Sequence, residues 1–146
     1  MIALLQRVAT ARVEVDGEVV GAIDQGVLML VCAEPADTLD LAGKMVDKVL
    51  KLRIFSEDAG KMNRSVQDVG GGLLIVSQFT LAADTRSGNR PGFSGAAAPA
   101  LGLQLYETVL RLARERHPLV QAGRFGADMQ VHLVNDGPVT IPLRVN

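Results

Sequence analysis

The first part of the chain carries apolar runs that predict β-strands. Two Val-rich segments, Val8 to Val15 and Glu18 to Ile23, flank Asp16-Gly17, a pair that favours the positive φ angles of a tight turn. Together they predict an antiparallel hairpin. The next run, Val27 to Cys32, is wholly apolar and of strand length, as is typical of a strand covered on both faces. We therefore expect this third strand at the centre of a sheet.

Two segments show the apolar spacing of amphipathic helices. In the first, apolar residues recur at helical spacing from Leu39 to Leu50, after a candidate N-cap at Asp37 or Thr38. The second extends from near Ala96 to His117 and is ended by Pro118. The sequence therefore predicts two long helices, with the charged residues between their apolar positions facing solvent.

The rest of the chain predicts further strands joined by irregular segments. Phe55 to Val69 has no clear period and predicts an irregular connection with room for one short strand. Leu73 to Leu81 begins wholly apolar and then admits polar residues, which predicts a buried strand with a polar end. Met129 to Val134 and Val139 to Leu143 are two further strand patterns. The turn formers between them, Asn135 to Pro138, predict a hairpin.

Taken together, the elements predict an α+β fold. About seven strands and two helices, in the order ββ, β, α, β, α, ββ, favour a mixed or antiparallel, barrel-like β-sheet with two main helices packed against it. The chain of 146 residues is of single-domain size, so we expect one domain from residue 1 to residue 146. Aromatic residues make up only 3%, which argues for an aliphatic core and against aromatic platforms for base stacking.

Charge and cysteine content restrict the function classes. Fifteen Lys and Arg against sixteen Asp and Glu leave a net charge of −1, so any nucleic-acid contact must be local. Two arginines lie among the turn formers Asp84 to Gly92, which predict an exposed loop. The single cysteine, Cys32, excludes an intrachain disulfide and fits a buried thiol in a strand. No segment approaches the roughly 18 apolar residues of a membrane span, and we expect no membrane partner and a cytoplasmic location.

Several common catalytic centres lack their residues. His117, His132 and Cys32 are too few for the usual zinc ligand sets, so we expect no metal. No phosphate-binding or dinucleotide-binding glycine motif occurs, so we expect no cofactor. A Ser-His-Asp triad would need one of the two histidines, and each has a simpler explanation, His117 at a helix C-terminus and His132 within a strand.

Two polar segments remain as candidate sites. At the end of the strand pattern, Ser77 and Thr80 carry hydroxyl groups, which a regular strand turns to opposite faces. The simpler explanation is that the strand emerges into solvent there. The segment Asn135 to Thr140 is explained as simply by a hairpin turn. From the residues alone, both segments stay undecided between a structural and a chemical role.

As a pair, these segments resemble the two signature motifs of the D-aminoacyl-tRNA deacylases. The first motif is Ser77-Gln78-Phe79-Thr80-Leu81, and the second is Asn135-Asp136-Gly137-Pro138-Val139-Thr140. The chain start Gln6-Arg7-Val8 and the segment Gly88-Asn89-Arg90-Pro91, with Phe93-Ser94 after it, are also similar. The resemblance therefore covers the chain from its first residues to its last.

The resemblance implies a metal-independent, cofactor-free homodimeric hydrolase. Its reaction would be cleavage of the ester of D-aminoacyl-tRNA, such as D-Tyr-tRNA, and also of Gly-tRNA(Ala), as chirality proofreading in translation. One subunit would hold the acceptor end of the tRNA, while Gly137 and Pro138 of the partner subunit, joined by a cis bond, complete the site. Arg7 would orient that pair, and Met129 would contact the substrate. The catalytic set that the resemblance implies is Ser77, Gln78, Phe79 and Thr80.

The same resemblance implies a mechanism that needs few side chains. Backbone N–H groups of Phe79 and Thr80 would stabilise the oxyanion, and the vicinal 2′-hydroxyl of the RNA would take part in hydrolysis. Rigid carbonyls of Gly137 and Pro138 would hold the substrate ammonium and exclude an L side chain. Two alternatives stay open: a non-catalytic module that binds a tRNA end or a nucleotide, and an esterase with Thr80 or Ser77 as nucleophile.

Overall fold

The computed structural model describes residues 1–146, and its long first strand organises the sheet. β1 (Ile2–Val15) pairs along one edge with β2 (Glu18–Ile23) and β3 (Gly26–Cys32), and along its other edge with β8 (Gln130–Arg144). All three pairings are antiparallel. The predicted hairpin and the central third strand are confirmed, although β1 begins at Ile2 and not at Val8.

Two parallel strands extend the sheet. β6 (Gly72–Ser77) lies beside β3, and β7 (Val120–Ala122) lies beside β6, while β8 borders the outer edge of β1. The sheet curls until the Gln121 side chain of β7 accepts a hydrogen bond from the backbone of Ala22 in β2, with 3.4 Å between N and Oε1. The result is a mixed, nearly closed, barrel-like sheet in a single α+β domain, which confirms the predicted fold class.

Both predicted helices are present, and each joins two parallel strands. α1 (Leu39–Lys51) follows β3 and is capped by Thr38, whose hydroxyl accepts a hydrogen bond from Leu41 N at 3.4 Å. α2 (Pro99–Arg116) joins β6 to β7, and His117 is its C-cap. Neither helix combines the length and the apolar character that a bilayer crossing requires.

The connection between α1 and β6 is more regular than its sequence predicts. It contains two short strands, β4 (Phe55–Ser56) and β5 (Met62–Arg64), which pair with each other outside the main sheet. Side-chain hydrogen bonds tie this segment together, from Arg53 Nη1 to Asn63 Oδ1 (3.1 Å) and from Asn63 Nδ2 to Glu57 Oε2 (3.2 Å). Because these strands are short and mostly exposed, they leave almost no apolar period in the sequence.

The core is aliphatic, as the composition predicts, and it has two parts. A cluster of 21 buried residues joins both helices to one face of the sheet. A second cluster of 6 buried residues fills the inside of the barrel and consists of Val8, Ala11, Val13, Leu28, Leu74 and Val76. Cys32 is a free, buried thiol in β3, as expected.

The strand predicted from Leu73 to Leu81 is wrong in its second half, because β6 ends at Ser77. Residues Phe79–Ala82 form a turn of 3-10 helix instead. The parallel ladder between β3 and β6 ends at the pair Val31 and Ser77, and a last backbone bond runs from Gln78 N to Val31 O (2.8 Å). With no strand partner beyond that point, the chain turns to satisfy its backbone locally, and the predicted alternation of side chains stops.

The predicted hairpin in the second motif is also wrong. The strand patterns on its two sides form one strand, β8, because both pair with β1 in the same direction. Gln6 pairs with Thr140 whereas Val8 pairs with Asn135, so residues 136–139 bulge out of the ladder opposite a single residue of β1. We call residues 136–139 the protrusion. The turn-forming residues therefore form a bulge within a strand and do not reverse the chain.

Candidate active site

A cavity of about 570 Å³ opens at the carboxyl ends of the parallel strands β3 and β6. The carboxyl ends of such strands are a common place for ligand sites, because the chain turns away there and leaves a crevice. The lining is mostly apolar and comes from both strands, from α2 and from the segment before β8. Four of the predicted site residues line the cavity: Ser77, Gln78, Phe79 and Met129.

The 3-10 helix folds the first motif back on itself. Gln78 Nε2 donates a hydrogen bond to the Thr80 hydroxyl, and Leu81 N donates to Gln78 O at 3.2 Å. Thr80 is exposed and lies outside the cavity lining. The structure therefore brings Ser77, Gln78 and Phe79 together at the cavity and links Thr80 to them through the Gln78 amide.

The start of this helix offers backbone donors at the cavity edge. Phe79 and Thr80 occupy its first two positions, where N–H groups have no acceptor within the helix. The Phe79 carbonyl accepts a hydrogen bond from the Cys32 thiol, with 3.6 Å between Sγ and O. Burial raises the pKa of Cys32, and the negative charge of Glu34 raises it further, so the thiol stays protonated at neutral pH. Cys32 therefore supports the first motif and is no activated nucleophile.

Tyr106 and Met129 give the cavity wall a fixed shape. The Tyr106 hydroxyl donates to the Ile75 carbonyl at 2.9 Å, and its ring centroid lies 5.8 Å from that of Phe125. Burial raises the pKa of Tyr106 to about 12, so its hydroxyl stays a proton donor committed to β6. The Met129 thioether accepts a hydrogen bond from Arg124 N at 3.4 Å. Neither group is available to take a proton from a substrate.

The second motif forms the exposed protrusion in β8. The bond between Gly137 and Pro138 is cis, and both residues are exposed. Gly137 has a φ of +132°, which residues with side chains rarely adopt. A Cβ at this position would lie 2.9 Å from Val139 Cγ2 and 3.1 Å from Arg7 Nη2. Only glycine fits there without displacing its neighbours.

Arg7 connects the protrusion to the body of the protein. Its Nε donates to Asp136 O at 3.0 Å, and its Nη1 donates to the Ile54 carbonyl at 2.8 Å. The Arg7 side chain is only 13% exposed, so its guanidinium has little freedom to move. Arg7 therefore fixes the backbone on the amino side of Gly137.

Asn135 and Thr140 hold the protrusion in position, a role that the sequence alone does not assign to them. Asn135 Nδ2 donates both to Arg7 O (2.9 Å) and to Val139 O (3.0 Å), so one amide ties the protrusion to β1. The Thr140 hydroxyl donates to Asn135 Oδ1 at 3.1 Å and so orients that amide. The available signal was their place in the second motif, immediately before and after the protrusion.

The cavity and the protrusion lie at opposite ends of the β1–β3 pair. Arg7, beside the protrusion, pairs with Val27 near the start of β3, whereas the cavity-lining Cys32 ends β3 and pairs with Ile2. The five steps along the strand from Ile2 to Arg7 correspond to about 17 Å at the usual strand rise of about 3.3 Å per residue. Neither Arg7 nor the protrusion lines the cavity. One chain alone therefore does not bring the two motifs together.

The histidines lie away from the cavity. His117 caps α2, with its Nε2 2.7 Å from Gly71 O, and His132 lies on β8 with its Nε2 3.3 Å from Glu14 Oε2. A hydrogen bond from Arg12 lowers the pKa of the Glu14 carboxyl, and His132 lowers it further. Nowhere do three His, Cys, Asp or Glu side chains form a group that could hold a metal ion. The cavity thus lacks the base of a Ser-His-Asp triad.

Comparison with known proteins decides the family. A family model described as D-Tyr-tRNA(Tyr) deacylase matches residues 4–144. The chain belongs to this family. It is 66% identical over 145 residues to a D-aminoacyl-tRNA deacylase of Paracidovorax citrulli (strain AAC00-1), covering 99% of this chain and 94% of the relative. It is 67% identical over 145 residues to a D-aminoacyl-tRNA deacylase of Aromatoleum aromaticum, covering 99% of this chain and 95% of that relative. The resemblance inferred from the two motifs is thereby confirmed.

Solved structures agree with the fold of this deacylase family member. A structure described as c-Myc DNA Unwinding Element Binding Protein superposes with a TM-score of 0.95 at 40% identity, covering 100% of this chain and 99% of that one. A structure described as a probable eukaryotic D-amino acid tRNA deacylase has a TM-score of 0.82 at 18% identity, covering 97% of each chain. The second likeness concerns the fold alone.

Proposed function

We propose that this chain hydrolyses the ester bond of D-aminoacyl-tRNA and releases a free D-amino acid and tRNA. The observation that carries the proposal is the 66% and 67% identity, over nearly the whole chain, with relatives named D-aminoacyl-tRNA deacylase. The reaction removes D-amino acids that were attached to tRNA in error and so acts as a chirality check in translation. D-Tyr-tRNA is the test substrate, and Gly-tRNA(Ala) is a further one.

The cavity is the binding place for the terminal adenosine and its ester. Its volume of about 570 Å³ lies within the range of about 300–1,000 Å³ typical of small-molecule sites. Apolar walls suit the nucleobase, and the polar side chains of Ser77 and Gln78 meet the ribose end of the ligand. The N–H groups of Phe79 and Thr80 are then the donors for the negative charge that develops on the ester oxygen.

The cavity offers no activated side chain for nucleophilic attack. Cys32 is protonated, and both histidines lie elsewhere. The Thr80 hydroxyl has the Gln78 amide as its neighbour, and an amide N–H donor is not a base that could activate it. We therefore assign positioning roles to Thr80 and Ser77. The attacking water is activated with the help of the 2′-hydroxyl, which the RNA supplies next to the ester.

A second copy of the chain completes the site. The protrusion is exposed, does not line the cavity of its own chain, and lies about 17 Å from it along β1 at the usual strand rise, so we assign it to the cavity of another copy. β8, which carries it, pairs only with β1 and presents an unpaired outer edge, with Val134 57% exposed. Proteins usually cover such an edge. A two-fold homodimer covers it and sends Gly137 and Pro138 of each subunit to the cavity of the other.

The protrusion then acts as the stereochemical filter. Enantiomers contain the same atoms, so cavity volume cannot separate them, whereas rigid groups that fix the direction of the side chain can. Carbonyl groups of Gly137 and Pro138 hold the substrate ammonium, and an L side chain would point into the protrusion. Arg7 and Asn135 supply the rigidity that this discrimination requires.

The proposal is tested by following ester loss from D-Tyr-tRNA and L-Tyr-tRNA with the purified protein. We expect rapid loss of the D-ester, survival of the L-ester, loss of Gly-tRNA, and activity that persists in a chelator. A binding module would protect both tyrosyl esters, and an unselective esterase would cleave both. Either result would refute the proposal.

The cross-subunit site is tested with a mixed dimer. One subunit carries Gly137→Ala, which disturbs the protrusion, and the other carries Phe79→Pro, which removes a proposed oxyanion donor. The homodimer of either variant should be nearly inactive. A heterodimer purified through two different tags should recover about half the wild-type activity, because one of its two sites is then intact. A heterodimer as inactive as its parents would contradict the shared site.

A further inference from the structure

Two of the four phenylalanines lie exposed at the mouth of the cavity. Phe79 is 57% exposed and Phe93 is 38% exposed, and both belong to the cavity lining. Their rings meet edge to face, with centroids 5.1 Å apart and an interplanar angle of 75°. The low aromatic content argues against a large stacking platform, yet two of the five aromatic rings of this chain lie together where solvent reaches them. Two exposed rings in contact at the mouth of a cavity form an apolar patch, which marks a candidate interaction surface.

A hairpin with two arginines connects these two rings. Residues 84–92 leave the 3-10 helix after Phe79 and return directly before Phe93, closed by two backbone hydrogen bonds of 2.7 and 2.9 Å between Asp84 and Gly92. Arg86 is paired with Asp84 at 2.8 Å, which neutralises both charges. Arg90 is exposed and forms no ion pair, so it is the free cation of the hairpin.

Exposed aromatic rings close to an arginine without an ion pair are typical of sites that bind single-stranded nucleic acid. Such sites stack bases on aromatic side chains and neutralise phosphates with basic ones. Arg90 precedes Phe93 by three residues, and three residues of fully extended chain span about 10 Å. The Cα atoms of Arg90 and Phe93 are therefore no more than about 10 Å apart. A guanidinium at that distance can reach the backbone phosphate of a nucleotide whose base covers the ring.

We propose that Phe79, Phe93 and Arg90 form a subsite for the unpaired nucleotides that precede the terminal adenosine of tRNA. In this subsite a cytidine base stacks on the exposed aromatic surface, and Arg90 binds the adjacent phosphate. The subsite rests on the proposed function, since it continues the path of an RNA end whose last nucleoside occupies the cavity. It also confines the nucleic-acid contact to a small patch of a chain whose net charge is −1.

The subsite is tested with two substrates that differ only beyond the terminal nucleoside, the D-tyrosyl esters of adenosine and of the trinucleotide CCA. The wild-type protein should prefer the CCA ester in kcat/KM. Phe93→Ala should lower this preference about tenfold, in line with the loss of one stacked base, and Phe93→Trp should preserve it. Arg90→Gln should lower it severalfold. Leu119→Ala, which truncates an exposed apolar residue elsewhere, and Arg111→Gln are the matched controls and should keep the wild-type ratio.

Binding of unesterified CCA provides a readout that does not depend on hydrolysis. The affinity measured by calorimetry should fall with salt, and Arg90→Gln should reduce the slope of log K against log salt by about 0.7, the value for one phosphate contact of a single strand. CCA binding without hydrolysis of either ester would remove the proposed function and leave the subsite standing. Equal wild-type activity on both esters, or equal loss on both in Phe93→Ala, would overturn the subsite. If the Phe93→Ala substitution caused a dimer to dissociate, the two rings would be an interface between copies of the chain, and the subsite would also be overturned.

Discussion

The proposed oxyanion donor at Phe79 can be removed without removing the helix that carries it. Phe79 is the first residue of the 3-10 helix, a position where proline is well tolerated because its φ suits a helix start. Gln78 before it has φ −143° and ψ 82°, outside the helical region that a following proline disfavours. Phe79→Pro therefore deletes one N–H group and one ring, while Phe79→Ala deletes the ring alone.

The difference between these two variants isolates the N–H group. Loss of one oxyanion donor lowers kcat by about 10²–10³ in other enzymes, and we expect this ratio between Phe79→Ala and Phe79→Pro. The stability cost should be small in both variants. The ring is 57% exposed, so its loss forfeits about 1 kcal/mol of the roughly 1.5–3 kcal/mol that full burial of a phenylalanine contributes.

The assay is single-turnover hydrolysis of D-Tyr-tRNA with the protein in excess, which separates the chemical step from substrate binding. Thermal unfolding of both variants serves as the control and should place their Tm values within a few degrees of each other. If Phe79→Pro hydrolyses the ester within threefold of the rate of Phe79→Ala, with both variants folded, the Phe79 N–H is not an oxyanion donor.

Three further predictions concern single residues. Thr80→Ala should keep turnover within about tenfold of the wild type, and an acyl-enzyme trapped on the wild-type Thr80 would disprove the positioning role. Gly26→Ala should destabilise the fold by about 3 kcal/mol or more, measured by urea unfolding, because its Cβ would lie 2.0 Å from the Gly72 carbonyl oxygen of the neighbouring strand. Burial raises the pKa of Glu34, but hydrogen bonds from Arg144 and the Met1 ammonium outweigh it and lower that pKa overall. The stabilisation by the Glu34 carboxylate is complete above the ordinary pKa of 4.5 and is lost as the pH falls through the lowered pKa. Glu34→Gln should therefore lower the free energy of unfolding at pH 7 and have little effect on it at pH 3. An equal loss of stability at both pH values would contradict this prediction.

Elements with a local signal could be predicted from the sequence. The first hairpin has its turn chemistry at Asp16-Gly17, where both φ angles are positive. The two helices have an apolar period, and α1 has a side-chain cap at Thr38. In each case the residues that specify the element also lie within it. Fold class followed from the order of these elements, because the connections between them permit few arrangements.

The wrong predictions at β6 and β8 share a physical cause, which is that the partner strand and not the local sequence decides where a strand ends. β6 stops at Ser77 because its ladder with β3 ends there, although the strand predicted from the sequence runs on to Leu81. β8 continues through residues 136–139 because β1 is long enough to pair with both of its halves. A run of Asn, Asp, Gly and Pro favours a departure from regular strand geometry but does not specify whether the chain reverses or bulges.

The distance between the two motifs is a third property that local patterns do not contain, and it bears most on function. Motifs that act on one ester must meet, yet in one chain they lie at opposite ends of a strand pair. A second copy can close that gap in two ways. In a two-fold dimer each protrusion that reaches a cavity implies the reciprocal contact, so both sites are complete and assembly stops. A head-to-tail arrangement leaves one protrusion and one cavity unused and continues to a ring or a filament. The proposed shared site therefore predicts that sedimentation will show a closed dimer and that active-site titration will find two sites in each dimer. An active monomer would contradict it.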